Sequence, residues 1–159
     1  MVRVLKLIGV TFLPALELRA SIPLGILVYG MNVVEVVAVC VAANIALGIV
    51  FYVLLDTVVK LLRRWRRFDR LYQRLLLRGQ RKIQRFVDRW GEIGVAIFIG
   101  IPLPGSGVIT GALGSYAIGL KKRKFFVANV IGVLIAAAIV TAVTLTGSEI
   151  FEFLIKYVE

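Results

Sequence analysis

Two stretches of the chain decide the solvent it folds in. Val36 to Leu55 and Phe125 to Ser148 contain no charged residue and are almost wholly apolar. About 20 apolar residues of helix cross a bilayer, because each advances about 1.5 Å through about 30 Å of hydrocarbon. Both stretches are therefore expected to be transmembrane helices. A hydrophobic content of 60% and a mean hydropathy of +0.92 agree, being too apolar for an ordinary soluble core.

The net charge of +11 points, in a soluble chain, to a nucleic-acid partner. Its distribution argues otherwise. Asp56 to Glu92 holds twelve basic and four acidic residues, and Lys121 to Lys124 adds four more basic ones. From Val58 to Trp90 the apolar residues, among them Leu61, Trp65, Phe68, Tyr72, Phe86 and Trp90, recur at steps of three and four. Arg and Lys fill the opposite face. A basic amphipathic helix of this kind suits the headgroup layer of an anionic leaflet, so membrane lipid and not nucleic acid is the expected partner. Lys and Arg mark the cytoplasmic side, which places residues 58–90 and the Lys121–Lys124 loop inside a multi-pass protein of the cell membrane.

Two further apolar regions are interrupted. Residues 1–30 carry Pro14, Pro23 and Gly25, and residues 91–120 carry Pro102, Pro104, Gly105 and Gly107. Proline removes an amide donor and clashes with the preceding turn, so no continuous helix is expected there. Broken backbone at membrane depth is tolerated where protein or a water-filled cavity satisfies it. Residues 91–120 also lie between two cytoplasmic segments, so they must enter and leave on one side. The expected fold is an all-α integral membrane protein: two re-entrant helical hairpins, with tips near Glu17–Pro23 and Pro102–Gly107. Each is followed by a transmembrane helix, at 33–57 and 124–148. A basic amphipathic interfacial helix at 58–90 and a short amphipathic segment at 149–159 complete the single domain.

The two halves then run in opposite directions, as an inverted repeat. Ile22-Pro23-Leu24-Gly25 echoes Ile101-Pro102-Leu103-Pro104-Gly105, and Ala43-Asn44 echoes Ala128-Asn129. Opposed broken helices are a transporter design. Two hairpins and two spans leave little protein to enclose a cavity, so a homo-oligomer is expected, most simply a dimer.

Glu17 and Arg19 are the only charged residues deep in a predicted membrane segment, where ionisable groups are costly and point to function. Glu17 can take up and release a proton, and Arg19 stays charged and can hold a phosphate. Two residues apart on an irregular backbone, they can pair with each other or with groups on the opposite hairpin; a salt bridge locking the tip without a ligand, or placement at the outer interface, fits the same residues. Ser106, Thr110 and the amides around Gly105 and Gly107 can bind an anion. Asn44 and Asn129 are polar amides in the two spans, suited to interhelical hydrogen bonding or to cargo. Gly111 and Gly114 suit close helix packing. With no His and a single Cys, Cys40, no zinc or other metal site, no cofactor and no enzyme chemistry is expected. Glu17 and Arg19 interrupt the first apolar run, so the N-terminus is read as retained and not as a cleaved signal.

Pro14-Ala15-Leu16-Glu17-Leu18-Arg19-Ala20-Ser21-Ile22-Pro23-Leu24-Gly25, together with the segment Ile101 to Ala112, resembles the small multidrug export protein family, related to the DedA or VTT-domain superfamily. The resemblance implies opposed re-entrant hairpins and, for DedA-like relatives, proton-dependent movement of lipids or lipid-linked phosphates. It makes Glu17 the acidic hairpin residue, and Pro102, Pro104 and Gly105 the second-hairpin motif. DedA members proper carry Arg in the second hairpin, whereas no Arg lies between Glu92 and Lys121 here. The leading expectation is a flippase or scramblase for an anionic lipid. A small cation or drug exporter, and a non-transporting scaffold binding anionic lipid through residues 60–89, are the alternatives.

Overall fold

The computed structural model describes the backbone of residues 2–13, 16–65, 69–70, 78–102 and 106–158, with the side chains of 71–88 and 148–159 outside the description. Pro14, Pro104 and Gly105 therefore lie outside the described residues, as does the middle of the basic strip. The described residues are helical, with α1 at Val2–Thr11, α2 at Glu17–Pro23, α3 at Val33–Leu62, α4 at Arg78–Gly100, α5 at Val108–Ala117 and α6 at Lys122–Val158.

Two of these helices, α3 and the Lys122–Gly147 part of α6, are long and apolar enough to span a membrane. Much of their surface faces outward: Val50, Val53 and Leu54 on α3 and Ile131, Leu134 and Val143 on α6 are 44% to 66% exposed. An apolar belt of this extent needs a nonaqueous cover.

Both helices extend past their apolar stretches. Asn32 starts α3, its side-chain oxygen accepting from the Val34 amide at 2.9 Å. At the other end Asp56 accepts from Lys60 and from Lys122, at 2.8 and 2.6 Å. The helix runs on to Leu62 instead of ending near residue 57. Residues 58–90 are consequently not one separate helix: their first turn belongs to α3, and residues 78–90 belong to α4. Nor is 149–159 a separate segment, because α6 continues to Val158.

Each half begins with an antiparallel helix pair. In the first, Arg3 donates to the Tyr29 carbonyl at 3.0 Å, and Thr11 donates to the Ser21 hydroxyl at 2.8 Å. In the second, α4 packs on α5, and Gly111 fits against Ile99. Helix α1 ends at Thr11 and α2 begins at Glu17, so the first break falls directly before Glu17. Pro23 and Gly25 do not break the chain. Proline cannot donate to the carbonyl one turn back, and the helix absorbs this by widening into a π-helical turn over Leu24–Val28, closed by the Tyr29 amide on the Leu24 carbonyl at 3.0 Å. The Ile-Pro-Leu echo therefore pairs unlike positions, since Ile22–Gly25 is helical and Pro102 lies in the second break.

The pairs pack as a crossed set. Helix α1 contacts α3 and α4 contacts α6, whereas α2 lies on α6 and α5 lies on α3. Helices α3 and α6 run antiparallel: Asp56 meets Lys122, the Tyr52 ring stacks on Phe125 at 4.4 Å, and Asn129 reaches Ile45. The Tyr52 hydroxyl donates to the buried Leu120 carbonyl at 2.9 Å. Tyr52→Phe is expected to leave that acceptor unpaired and to cost about 1–3 kcal/mol. Thermal unfolding in detergent checks this, and an unshifted midpoint would show that the bond adds nothing.

Candidate functional site

The two helix breaks meet, and two charged side chains that follow the first reach the second, one to its backbone and one to a serine hydroxyl. Glu17 opens α2 and is only 5% exposed. Its Oε2 accepts from the Val108 amide at 3.1 Å. Val108 is the first residue of α5, whose free N–H groups and helix dipole favour an anion at that end. A hydrogen bond to a charged group contributes about 1.5–3 kcal/mol. Gly107 precedes Val108, and a Cβ there would overlap the Glu17 carboxylate.

Arg19 lies on the next part of the same turn and also reaches across, donating from Nη2 to Ser106 Oγ at 2.8 Å. Ser106 passes its own proton to the Ile101 carbonyl, so the hydroxyl ties Arg19 to the end of α4. Glu17, Arg19 and Ser106 are thus brought together by elements about 90 residues apart in sequence.

The Glu17 backbone is held in the left-handed region, at φ 45°. This costs a non-glycine residue on the order of 1 kcal/mol or more and persists only where neighbours enforce it. Two buried hydroxyls contribute to that enforcement. Thr11 donates to Ser21, and Ser21 donates to the Glu17 carbonyl at 3.1 Å, bracing the start of α2 against the end of α1. Sequence reasoning passed over both; the available signal was a small hydroxyl on each side of the break in an otherwise apolar run.

Thr110 lies one residue pair beyond Val108, donates to the Gly107 carbonyl at 3.1 Å, and is exposed on the outer side of α5. Asn44 and Asn129 belong instead to the crossing of α3 and α6. Asn129 donates from Nδ2 to the Ile45 carbonyl at 3.1 Å and fills the space left by Gly48. Both amides are buried, and the Oδ1 of each is unpartnered among the described residues. Of the two glycines assigned to packing, Gly111 abuts Ile99, but a Cβ at Gly114 would meet open space. Among the described residues no group of His, Cys, Asp and Glu side chains could hold a metal ion.

Chemically, the α5 N-terminus is an anion site that the protein fills with its own carboxylate, Glu17 on the Val108 amide, while the Arg19 guanidinium is held by Ser106 close by. Residues 17–139 match the family described as Putative small multi-drug export protein. No curated protein and no solved structure matches the chain. The matched segment covers more than half of the chain, runs from the first helix break through the second, and includes both apolar helices over most of their length. The chain is a membrane protein that belongs to this export-protein family.

Proposed function

We propose that the protein is a transporter for an anionic amphiphile, a lipid or lipid-linked phosphate, with the meeting of the two helix breaks as its translocation site. The observation carrying this reading is the pair of contacts from Glu17 to the Val108 amide and from Arg19 to Ser106. Glu17 occupies the α5 N-terminus as an internal anion. Once protonated it binds those amides less strongly, and a phosphate oxygen takes its place beside Arg19. Proton uptake is thereby coupled to headgroup binding without any covalent step. The second hairpin has no arginine of its own, and Arg19 supplies the guanidinium from the first.

In this reading the helix pairs α1–α2 and α4–α5 are re-entrant hairpins, and the halves form an inverted repeat. The packing supports it: exchanging α1, α2 and α3 for α4, α5 and α6 reproduces the set of helix contacts, and α3 runs antiparallel to α6. Two copies form the working unit, and the basic segment 60–89 lies at the cytoplasmic leaflet.

Reconstituted liposomes with labelled anionic lipid test the proposal. Glu17→Gln combined with Arg19→Ala is expected to slow translocation about ten- to hundredfold, the value of charged contacts worth about 1.5–3 kcal/mol. Equal rates for wild type and double variant would overturn it. The family description favours a second reading, export of a drug or small cation. A drug-cation flux that depends on Glu17 and is indifferent to Arg19→Ala would select that reading.

A further inference from the structure

A groove of about 450 Å³ runs between α4 and α5. Its walls are apolar, with Trp90, Phe98 and Ile118 among the lining side chains. We propose that this groove holds one acyl chain of an anionic membrane lipid, whose headgroup rests on Arg89 and Lys121.

Shape, depth and charge support this occupant together. The groove follows α4 from Trp90 to Phe98 and α5 from Ile118 back to Thr110, about 12 Å of helix at 1.5 Å per residue. One end lies within a turn of Val108, where Glu17 binds, and the other opens beside the basic segments that flank it in sequence. At that open end the Arg89 guanidinium lies 5.6 Å from the centre of the Trp90 ring. Tryptophan and arginine in this pairing suit the boundary between acyl chains and headgroups. Lys121 follows Ile118 by three residues. Lys122 and Lys124 form ion pairs with Asp56 and Glu92, but Arg89 and Lys121 have no ion-pair partner among the described residues. The headgroup end is therefore cationic and the chain end apolar, the polarity of a lipid standing upright in its leaflet.

The groove exists because glycine lines it. A Cβ at Gly94 or Gly114 would meet nothing within 4 Å, so neither glycine is there to let helices approach. Both glycines line the groove, so larger residues at these positions would fill it.

The inference rests on the membrane placement of α4 and α5 but not on transport through the Glu17 contact, and its test needs no flux. The chain has two tryptophans, so Trp65→Phe leaves Trp90 as the only tryptophan, excited selectively at the red edge of the indole band. The full-length variant is placed in phosphatidylcholine vesicles. A small equal fraction of either phosphatidylglycerol or phosphatidylcholine carries bromine on its acyl chain, which quenches a neighbouring indole. Brominated phosphatidylglycerol is expected to quench Trp90 several-fold more strongly than brominated phosphatidylcholine. Arg89→Gln is expected to reduce that preference about fivefold. Gly94→Leu with Gly114→Leu is expected to remove the excess quenching while helical circular dichroism is unchanged. Gly114→Leu alone serves if the double variant loses helicity.

Equal quenching by the two lipids in the parent protein would overturn the proposal. So would excess quenching that survives the filled groove, or a filled groove that dissociates an oligomer without altering quenching, since a second copy would then be the occupant. Glu17→Gln should leave the preference intact. Retained quenching with failed translocation discards only the transport reading, and the reverse result discards only the lipid in the groove.

Discussion

Gly107→Ala is expected to destabilise the protein by about 3 kcal/mol, and to do so through a residue on the other helix pair. The backbone at 107 has φ −80° and ψ −174°, which any residue adopts, so alanine meets no conformational penalty there. Its Cβ would instead overlap the Glu17 carboxylate. To make room the carboxylate must leave the Val108 amide, which loses a charged hydrogen bond worth about 1.5–3 kcal/mol and strands an ionised group in a buried setting. The diagnostic result is a lack of additivity. Once Glu17→Ala has removed the carboxylate, adding Gly107→Ala should cost almost nothing, giving a coupling of at least about 1.5 kcal/mol in a double-mutant cycle of unfolding in detergent. Additive losses would mean that the glycine matters for some other reason and that the contact between the breaks is not held by Glu17.

That contact was only half visible in the sequence. Glu17 and Arg19 stand out because ionisable residues in an apolar run are rare, and Ser106 because it sits in a cluster of proline and glycine. Their meeting is not encoded in any side-chain pattern: Val108 contributes a backbone N–H, and Gly107 contributes the absence of an atom. Gly107 and the amides beside it stand out in the sequence as a place for an anion, but nothing there identifies that anion as Glu17. Asn44 and Asn129 carried the same polar signal as Ser106, yet they lie at the α3–α6 crossing, where Asn129 bonds the Ile45 carbonyl. Polarity in a span identifies a residue with a task, and the packing decides which one.

The fold divides along similar lines. The absence of charge over about 20 residues locates α3 and α6, because the thickness of a bilayer sets that length. Helix ends obey other forces. Asp56 and Lys60 form an i,i+4 pair that lets α3 continue beyond its apolar stretch. Pro23 reads as a breaker, but its effect depends on whether the following turn can widen, and here Leu24–Val28 does. The glycines show the same limit most sharply, since close packing, a groove and an ordinary exposed turn all place the same letter in a helix.

Two alanine substitutions in α6 are expected to shift stability in opposite directions for this reason. Gly132 lies where α6 meets α4, and a Cβ there would stand 2.7 Å from the Ile99 Cβ and 2.8 Å from the Ala96 carbonyl oxygen. The carbonyl is backbone, fixed in its own helix, so the two helices must separate. Overpacking of this kind costs about 1–3 kcal/mol, and small residues at a helix crossing in lipid have no hydrophobic drive to offset it. Gly147 is exposed near the end of the same apolar run, with nothing within 4 Å of an added Cβ. There alanine gains its helix preference over glycine, about 0.5–1 kcal/mol. Thermal unfolding of the two variants in the same detergent should place one midpoint below that of the parent protein and the other at or above it. If Gly132→Ala left the midpoint unchanged, α4 and α6 would not be packed as closely as their glycine contact requires. The antiparallel frame that brings Glu17 to the α5 N-terminus would then need a different support.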